Sequence, residues 1–264
     1  MSIYQALAEI ESNGGSAVLC TIIASQGSTP RHEGSKMLMY PDGRTEGSVG
    51  GGELEGQVVE AAKEALNDGK PRTLAFSMVD PKRGDPGVFG GTVTVFVEPI
   101  LPPPTIVVIG AGHVGRAVVH LAKWLGFRAV ISDDRPEFCT PEATPGADDY
   151  LPCLMAELPS QLPISNRHYL ILTTRNVMVD VPGLPALLDS PAAYIGIIGS
   201  KRRWTTTRNK LLEAGVPEEK LTRIVSPMGL ELKAETPEEI ALSILAEIIM
   251  LRRGGDGERM GAAR

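Results

Sequence analysis

Apolar positions change period several times along this chain, and each change predicts an element. Ile3, Leu7 and Ile10 recur at helical spacing, and Asn13-Gly14-Gly15 ends the short amphipathic helix they predict. Residues 17–24 form an apolar run with strand character. A polar, glycine-punctuated loop fills 25–36. Residues 37–40 and 44–49 flank Pro41-Asp42-Gly43 and predict a β-hairpin. Beyond Gly50-Gly51-Gly52, the positions Leu54, Val58, Ala61, Ala62 and Leu66 make one face of a helix over 53–66. Two strands follow at 72–78 and 92–98, joined by a long glycine- and proline-rich loop over 79–91.

Pro99, Pro102, Pro103 and Pro104 make a stiff extended stretch that predicts a domain boundary, with 1–100 before it, 101–104 as linker and 105–254 after it. Thr105–Ile109 is a continuous apolar run, the mark of a parallel strand buried on both faces. Val114, Ala117, Val118, Leu121, Ala122 and Leu125 then recur at three and four, and Gly126 stops that helix. Arg128–Ser132 is a second strand. Residues 134–162, with Pro136, Pro141, Pro145 and Pro152 among them, read as irregular, a segment able to cover a crevice. Strands at 168–173, 193–198 and 223–225 alternate with helices at 181–188 and 204–214. The last helix starts with Thr236 as N-cap, Pro237 at its first position and Glu239 as the reciprocal acid, and buries Ile240, Ile244, Leu245, Ile248 and Leu251. The polar tail 255–264 is expected to be disordered. Strand and helix alternation of this kind predicts an α/β fold: a C-terminal Rossmann-like, doubly wound parallel sheet preceded by a smaller α+β domain.

Composition narrows the function classes. With 264 residues, 42% hydrophobic and 22% charged, the chain has material for real cores. A net charge of -6 with no long basic run argues against nucleic acid, and 5% aromatic content argues against a base-stacking surface. Cys20, Cys139 and Cys153 form no C-x-x-C. An odd cysteine count, without a signal peptide or an apolar run near 18 residues, is expected of a reduced, cytoplasmic protein with no membrane partner.

The chemistry centres on Gly110, Gly112 and Gly115, spaced G-x-G-x-x-G between a strand and a helix. The first allows the sharp turn, the second lets backbone N–H groups meet a pyrophosphate, and the third brings helix against strand. His113 and Val114 lie inside this turn, at the positive end of the helix dipole. Asp133, Asp134 and Arg135 end the next strand about 20 residues on, where a ribose-binding carboxylate is expected, favouring NAD over NADP. Ser200 and Lys201 open a later helix where donors and a cation can hold phosphate or carboxylate. In the first domain, Arg31, His32 and Lys36 sit in the polar loop. Gly51 and Gly52 feed a helix whose first turn carries Glu53 and Glu55; a backbone anion site and a tight turn with a well-charged helix start both remain open there. The four histidines lack ligand spacing, so no metal site is expected. These residues alone leave three functions open: cofactor handling, an NAD(H)-dependent oxidoreductase, and a nucleotide-sensing module.

Several strings together resemble the XdhC/CoxI family, accessory proteins of xanthine dehydrogenase and related molybdenum hydroxylases. In the first domain they are Gly27-Ser28-Thr29-Pro30-Arg31, Gly34-Ser35-Lys36-Met37, Gly47-Ser48-Val49-Gly50-Gly51-Gly52-Glu53-Leu54-Glu55, and Gly90-Gly91 before Val97-Glu98-Pro99. In the second they are Ile109-Gly110-Ala111-Gly112-His113-Val114-Gly115, Asp133-Asp134-Arg135, Ile198-Gly199-Ser200-Lys201-Arg202, Pro227-Met228-Gly229-Leu230 and Thr236-Pro237-Glu238-Glu239-Ile240-Ala241. The resemblance runs in order over about residues 3–251.

What the resemblance implies is a cofactor chaperone rather than a catalyst, dimeric in form. Such a protein would bind the molybdenum cofactor, a molybdopterin carrying a phosphate, protect it while its terminal sulfur is installed, and deliver it to an apo-enzyme. Its partners would be the molybdenum hydroxylase and a cysteine desulfurase. Two departures bear on this. Many relatives have Cys-Gly-Gly where this chain has Phe89-Gly90-Gly91, and many have a histidine in the segment matching Thr174-Arg175-Asn176-Val177. Both changes weaken metal ligation, thiol chemistry and the family's standard sulfuration as properties of this chain.

Overall fold

The computed structural model of the chain describes residues 2–78 and 90–261, so residues 79–89 of the predicted loop over 79–91, with Phe89, lie outside the described residues. Contacts divide the chain into two compact units between Pro102 and Pro103.

In the first unit, α1 (Ile3–Ser12) is closed at its start by a capping box between Ser2 and Gln5. Five strands follow, interrupted by one helix: β1 (Ala17–Gln26), β2 (Lys36–Met39), β3 (Thr45–Gly47), α2 (Gly52–Asp68), β4 (Arg72–Ser77) and β5 (Thr92–Ile100). They form one sheet in the order β3-β2-β1-β5-β4, with every pairing antiparallel. Alternation sorts the residues of β1. Val18, Cys20 and Ile22 face α2 together with Met37, Met39, Val93, Val95 and Val97, while Ala17 and Leu38 receive Ala6 of α1 on the other side. A bulge between Ile22 and Ala24 re-aims the end of β1 as it enters the polar loop. The expected α+β unit is present, with its hairpin pairing Met37 to Gly47.

The second unit is a parallel sheet in the order β11-β10-β9-β6-β7-β8, built from β6 (Thr105–Ile109), β7 (Arg128–Ser132), β8 (Asp149–Leu151), β9 (His168–Leu172), β10 (Tyr194–Ile197) and β11 (Ile224–Val225). All five residues of β6 are buried, as a central strand covered on both faces requires. Their alternation feeds two cores. Ile106 and Val108 meet α3 (His113–Trp124) and α8 (Pro237–Arg253), whereas Val107 and Ile109 face Leu184 and Leu187 of α5 (Val177–Leu188) and the core that Leu211 of α6 (Lys201–Glu213) joins. Each buried Val or Ile contributes about 1.5–3 kcal/mol, so the two layers fix the strand's register. The sheet is Rossmann-like and doubly wound. From β6 the chain moves outward through β7 and β8, then returns to the other side of β6 as β9, and ligands of such sheets bind outside the strand ends at that reversal.

Three expectations need correction. The segment expected to be irregular contains β8 and the short helix α4 (Leu158–Gln161). Helix α5 begins four residues earlier than predicted, because Asn176 caps it from its side chain and Pro182 and Pro185 are accommodated inside it. Helix α6 begins at Lys201 rather than 204, capped by Ser200. Another short helix, α7 (Glu218–Leu221), precedes β11. At α8 the predicted capping box forms in both directions between Thr236 and Glu239. Among the described residues, no helix is long and apolar enough to cross a membrane, and no group of three or more His, Cys, Asp or Glu side chains is placed to hold a metal ion.

Candidate functional site

The turn after β6 shows what each glycine does. Gly110 sits at φ +114° with its N–H donating to the Ser132 carbonyl at 2.7 Å, and a Cβ there would lie 2.7 Å from the Thr173 carbonyl oxygen. A Cβ on Gly115 would come within 2.0 Å of the Gly110 carbonyl oxygen, so the third glycine brings α3 against the strand. Gly112 is different. It caps α3 with no side-chain hydrogen bond, and a Cβ there would meet nothing within 4 Å. The open space lies where a ligand would approach the main chain.

That space is a cavity of about 220 Å³ between the ends of β6, β7 and β9, walled by Gly110, Gly112, Asp133, Asp134, Arg135, Cys153, Met155, Thr173, Thr174 and Arg175. Asp133 is 3% exposed, and both its oxygens are engaged. One accepts from the Ala111 N–H at 2.7 Å and from Arg135 Nη2 at 3.0 Å; the other accepts from the Arg135 N–H at 3.0 Å and Nε at 2.9 Å. A carboxylate offers about four acceptor positions, and here all four are taken. Arg135 is held from behind by Phe138, its guanidinium 4.0 Å from the ring centre. Asp133 stands at the strand end where a ribose-binding carboxylate is expected, and in this structure its carboxylate ties β7 to the glycine turn, with its acceptor positions taken by Ala111 and Arg135.

Asp134 makes a two-point ion pair with Arg175 of the loop after β9, at 2.6 and 2.7 Å. The guanidinium holds its carboxyl below the usual carboxylate range, with burial opposing. The side chains are 22% and 42% exposed, so the pair is worth about 0–1 kcal/mol, far less than the saturated Asp133 cluster. On its far side lies a second cavity of about 270 Å³, bordered by the same Asp134, Met155, Arg175 and Val179 together with Leu154, Met178 and Pro182.

The remaining sequence candidates of this unit lie elsewhere. His113 does not border the crevice; it lines a separate apolar groove of about 590 Å³ with Arg116, His120, Pro237 and Leu242, between α3 and the start of α8. Val114 packs against the core, and Gly115 is buried. Ser200 spends its hydroxyl on the N–H of Arg203, and Lys201 is exposed outside the crevice wall. The cation that turns inward is Arg203, which donates to Asp180 at 2.6 Å and to the Thr174 carbonyl and hydroxyl at 3.0 and 2.8 Å. Asp180 is fully buried and also accepts from the Thr174 hydroxyl. Sequence reasoning missed Arg203 within the run Lys201-Arg202-Arg203; its inward register, two residues after the exposed Lys201, was the available signal.

In the first unit the glycine-rich loops converge. A Cβ on Gly91 would lie 2.4 Å from the carbonyl oxygens of Gln26 and Ser28, and one on Gly50 would lie 2.9 Å from Pro30 Cγ. Between the two open readings of Gly51 and Gly52, the structure favours a third. Glu55 folds back to accept from the Ser48 hydroxyl at 2.6 Å and the N–H groups of Val49 and Gly51 at 3.2 and 3.1 Å, so the chain supplies the anion for its own loop. Burial pushes this carboxyl up, but the Ser48 and backbone hydrogen bonds outweigh it and hold it below the ordinary value. Glu53 is exposed and accepts from Gln57 at 3.1 Å. Lys36 turns its amine to the Gly34 carbonyl at 3.2 Å and toward the Tyr4 ring, while Arg31 is exposed. Thr29, 8% exposed, anchors the polar loop through the Arg31 carbonyl and the His32 ring.

The comparisons fit both units. The XdhC Rossmann domain matches residues 106–248, and the XdhC and CoxI family matches residues 11–77. The chain is 34% identical over 264 residues to uncharacterized protein YqeB of Escherichia coli K12, covering 98% of this chain and 48% of that protein. It is 25% identical over 270 residues to the molybdenum cofactor insertion chaperone PaoD of the same organism, covering 91% of this chain and 85% of the relative. A protein of Bacillus subtilis named as a probable xanthine dehydrogenase component is 31% identical over 165 residues, 62% of this chain and 48% of that protein. The chain thus spans about half the length of two of these relatives. A crystal structure from Bacillus halodurans, described as a xanthine dehydrogenase, superposes with a TM-score of 0.51 at 25% identity, covering 99% of this chain and 98% of that one. With its Rossmann unit matched over most of its length and its first unit matched over the strands and helix that carry the glycine loops, the chain belongs to the XdhC and CoxI family.

Proposed function

We propose that this protein is a maturation factor that binds the molybdenum cofactor and supports its sulfuration and insertion into a xanthine dehydrogenase-type molybdenum hydroxylase. The observation that carries the reading is the alignment of 91% of this chain with 85% of a relative named as a molybdenum cofactor insertion chaperone. Further support comes from the crevice. It keeps an open approach to the main chain at Gly112 but has no free carboxylate for a ribose. Such a site offers the main chain to a phosphate and leaves the ribose contact of a nicotinamide dinucleotide without its usual acceptor. In this reading a cysteine desulfurase supplies the sulfur, the apo-hydroxylase receives the loaded cofactor, the protein works as a homodimer, and all of this takes place in the cytoplasm.

The test is reconstitution. The purified chain is incubated with molybdopterin released from a molybdoenzyme, freed of unbound cofactor, and mixed with the apo-hydroxylase. Retention of the cofactor and recovery of hydroxylase activity are expected. A chain that retains no molybdopterin and restores no activity sinks the reading. Titration with NADH, followed by nicotinamide fluorescence, addresses the oxidoreductase and nucleotide-sensing alternatives; binding at micromolar concentrations would favour them instead.

A further inference from the structure

We infer that the two cavities meeting at Asp134 and Arg175 are one bipartite site for a phosphorylated fused-ring heterocycle, with Asp134 occupying the place of the ligand's phosphate on Arg175. This deepens the maturation reading and rests on it for the biological identity of the ligand.

Neither cavity, at about 220 and about 270 Å³, reaches the range of about 300–1,000 Å³ usual for small-molecule sites, but together they do. Four residues wall both, Asp134, Met155, Arg175 and Val179, and the ion pair is the polar contact among them. Charge comes next. Arg175 presents its planar fork to a carboxylate in the two-point geometry it would also offer a phosphate, and a phosphate carries more charge and more acceptor oxygens. Asp134 is therefore the weaker partner and can be exchanged. Asp133, locked by four donors at 3% exposure, cannot. The first cavity also borders Gly112, so an anion on Arg175 would sit in the same chamber as that open stretch of main chain.

The second cavity sets the ligand's other half. Leu154 and Met178 border it at 56% and 75% exposure, large apolar surface left in solvent beside a charged pair. Met155 lines both chambers, lying so close over Gly183 of α5 that a Cβ there would sit 2.5 Å from its sulfur. Two methionines and a leucine make an adaptable, polarisable wall, and thioether sulfurs make favourable contacts with aromatic rings. A ring system on that wall and a phosphate on Arg175 would cover the exposed apolar surface and replace the weak internal pair together.

The test uses the full chain and a stable, metal-free probe, 6-hydroxymethylpterin monophosphate, whose fluorescence reports binding. Binding to the unaltered chain is expected, weakened about tenfold or more in Arg175→Ala. Asp134→Asn is expected to tighten binding several-fold, a gain that a damaged fold does not produce. Met178→Asp should weaken the phosphorylated probe and unphosphorylated 6-hydroxymethylpterin alike, whereas the two charge variants should leave the unphosphorylated compound unaffected. No binding of the probe, no effect of Arg175→Ala, or an Asp134→Asn variant that binds no more tightly than the parent overturns the inference. Equal affinity for ribose 5-phosphate, which carries the phosphate without a fused ring, overturns the assignment of the ring class. Since the probe lacks molybdenum and no hydroxylase is present, failure here leaves the maturation reading standing, and failed reconstitution with intact probe binding sinks that reading alone.

Discussion

Replacing Gly115 by alanine separates the packing role of the glycine turn from its ligand-facing role. Gly115 lies in the first turn of α3 with ordinary helical dihedrals, so by propensity alone alanine would stabilise the helix by about 1 kcal/mol. Sterics oppose this. The new methyl would lie 2.0 Å from the Gly110 carbonyl oxygen and 2.9 Å from Thr173 Oγ1, and that carbonyl accepts from the Thr173 hydroxyl at 2.6 Å, so the methyl would crowd both partners of one hydrogen bond. Restoring contact distance requires a shift of more than about 1 Å between helix and strand, at or beyond the upper end of the 1–3 kcal/mol typical of overpacking. The net expectation is a loss of about 2 kcal/mol. Gly112→Ala meets nothing within 4 Å and gives up only a favourable N-cap residue, for a loss of about 1 kcal/mol or less. Both tryptophans, Trp124 and Trp204, lie in the second unit, so the urea dependence of tryptophan fluorescence follows that unit without interference from the first. Equal urea midpoints for the two variants, or a Gly115→Ala midpoint at the parental value, would refute the packing argument.

Other expectations follow from the same geometry. Asp133→Asn should destabilise the second unit by about 2–3 kcal/mol, since a buried carboxylate loses charge-assisted bonds to Arg135, while Asp134→Asn should cost less than about 1 kcal/mol; the same fluorescence assay should rank them in that order, and the reverse order would mean that Asp133 is not the fixed member of the pair. Glu55→Gln should speed amide exchange over residues 48–55 at neutral pH. Because the folded carboxyl titrates below its ordinary value of 4.5, the stabilisation is fully present above that value and is lost as pH falls through the lower, folded one. Exchange rates of parent and variant should therefore converge in acid, and a gap that persists or widens there contradicts the assignment. All three cysteines are buried, and burial pushes the Cys20 thiol up to about 12. At pH 8 a chromogenic disulfide reagent should thus react slowly with the native protein and release three thiols in urea; rapid reaction of Cys20 without denaturant would show that β1 opens.

How much was legible depended on whether the deciding contact was local. The capping box of α8 is written in Thr236 and Glu239, three residues apart, and forms as the letters imply. The buried run of β6 and the spacing of its glycines likewise carry their own context. By contrast, β8 has three half-buried residues and no apolar run; it is a strand because β7 offers it an edge, which no window of sequence records. Helix α6 has a strongly polar sequence, and its start is set by Ser200 and by the inward reach of Arg203 to Thr174 and Asp180, residues 29 and 23 positions earlier. His113 was placed near the crevice by its position in the motif, yet residues inside a helix's first turn point to different sides, and its side chain faces α8.

Asp133 shows most clearly why a fingerprint locates a crevice without naming its occupant. The acid stands where the motif puts it, but the same two-residue interval that ends β7 also brings Arg135 back over it, and the guanidinium and the Arg135 N–H take three of its acceptor positions. Electrostatics then changes sense. In a dinucleotide site the carboxylate recognises a neutral sugar, whereas here it is neutralised within the protein, and the next acid, Asp134, is placed over a second arginine that remains partly exposed. A crevice with one acid locked and the other loosely paired disfavours ribose and retains an arginine for an anion. The fold sets where a ligand approaches the main chain, and Arg135 and Arg175, two side chains outside the glycine motif, set which chemistry can stay there.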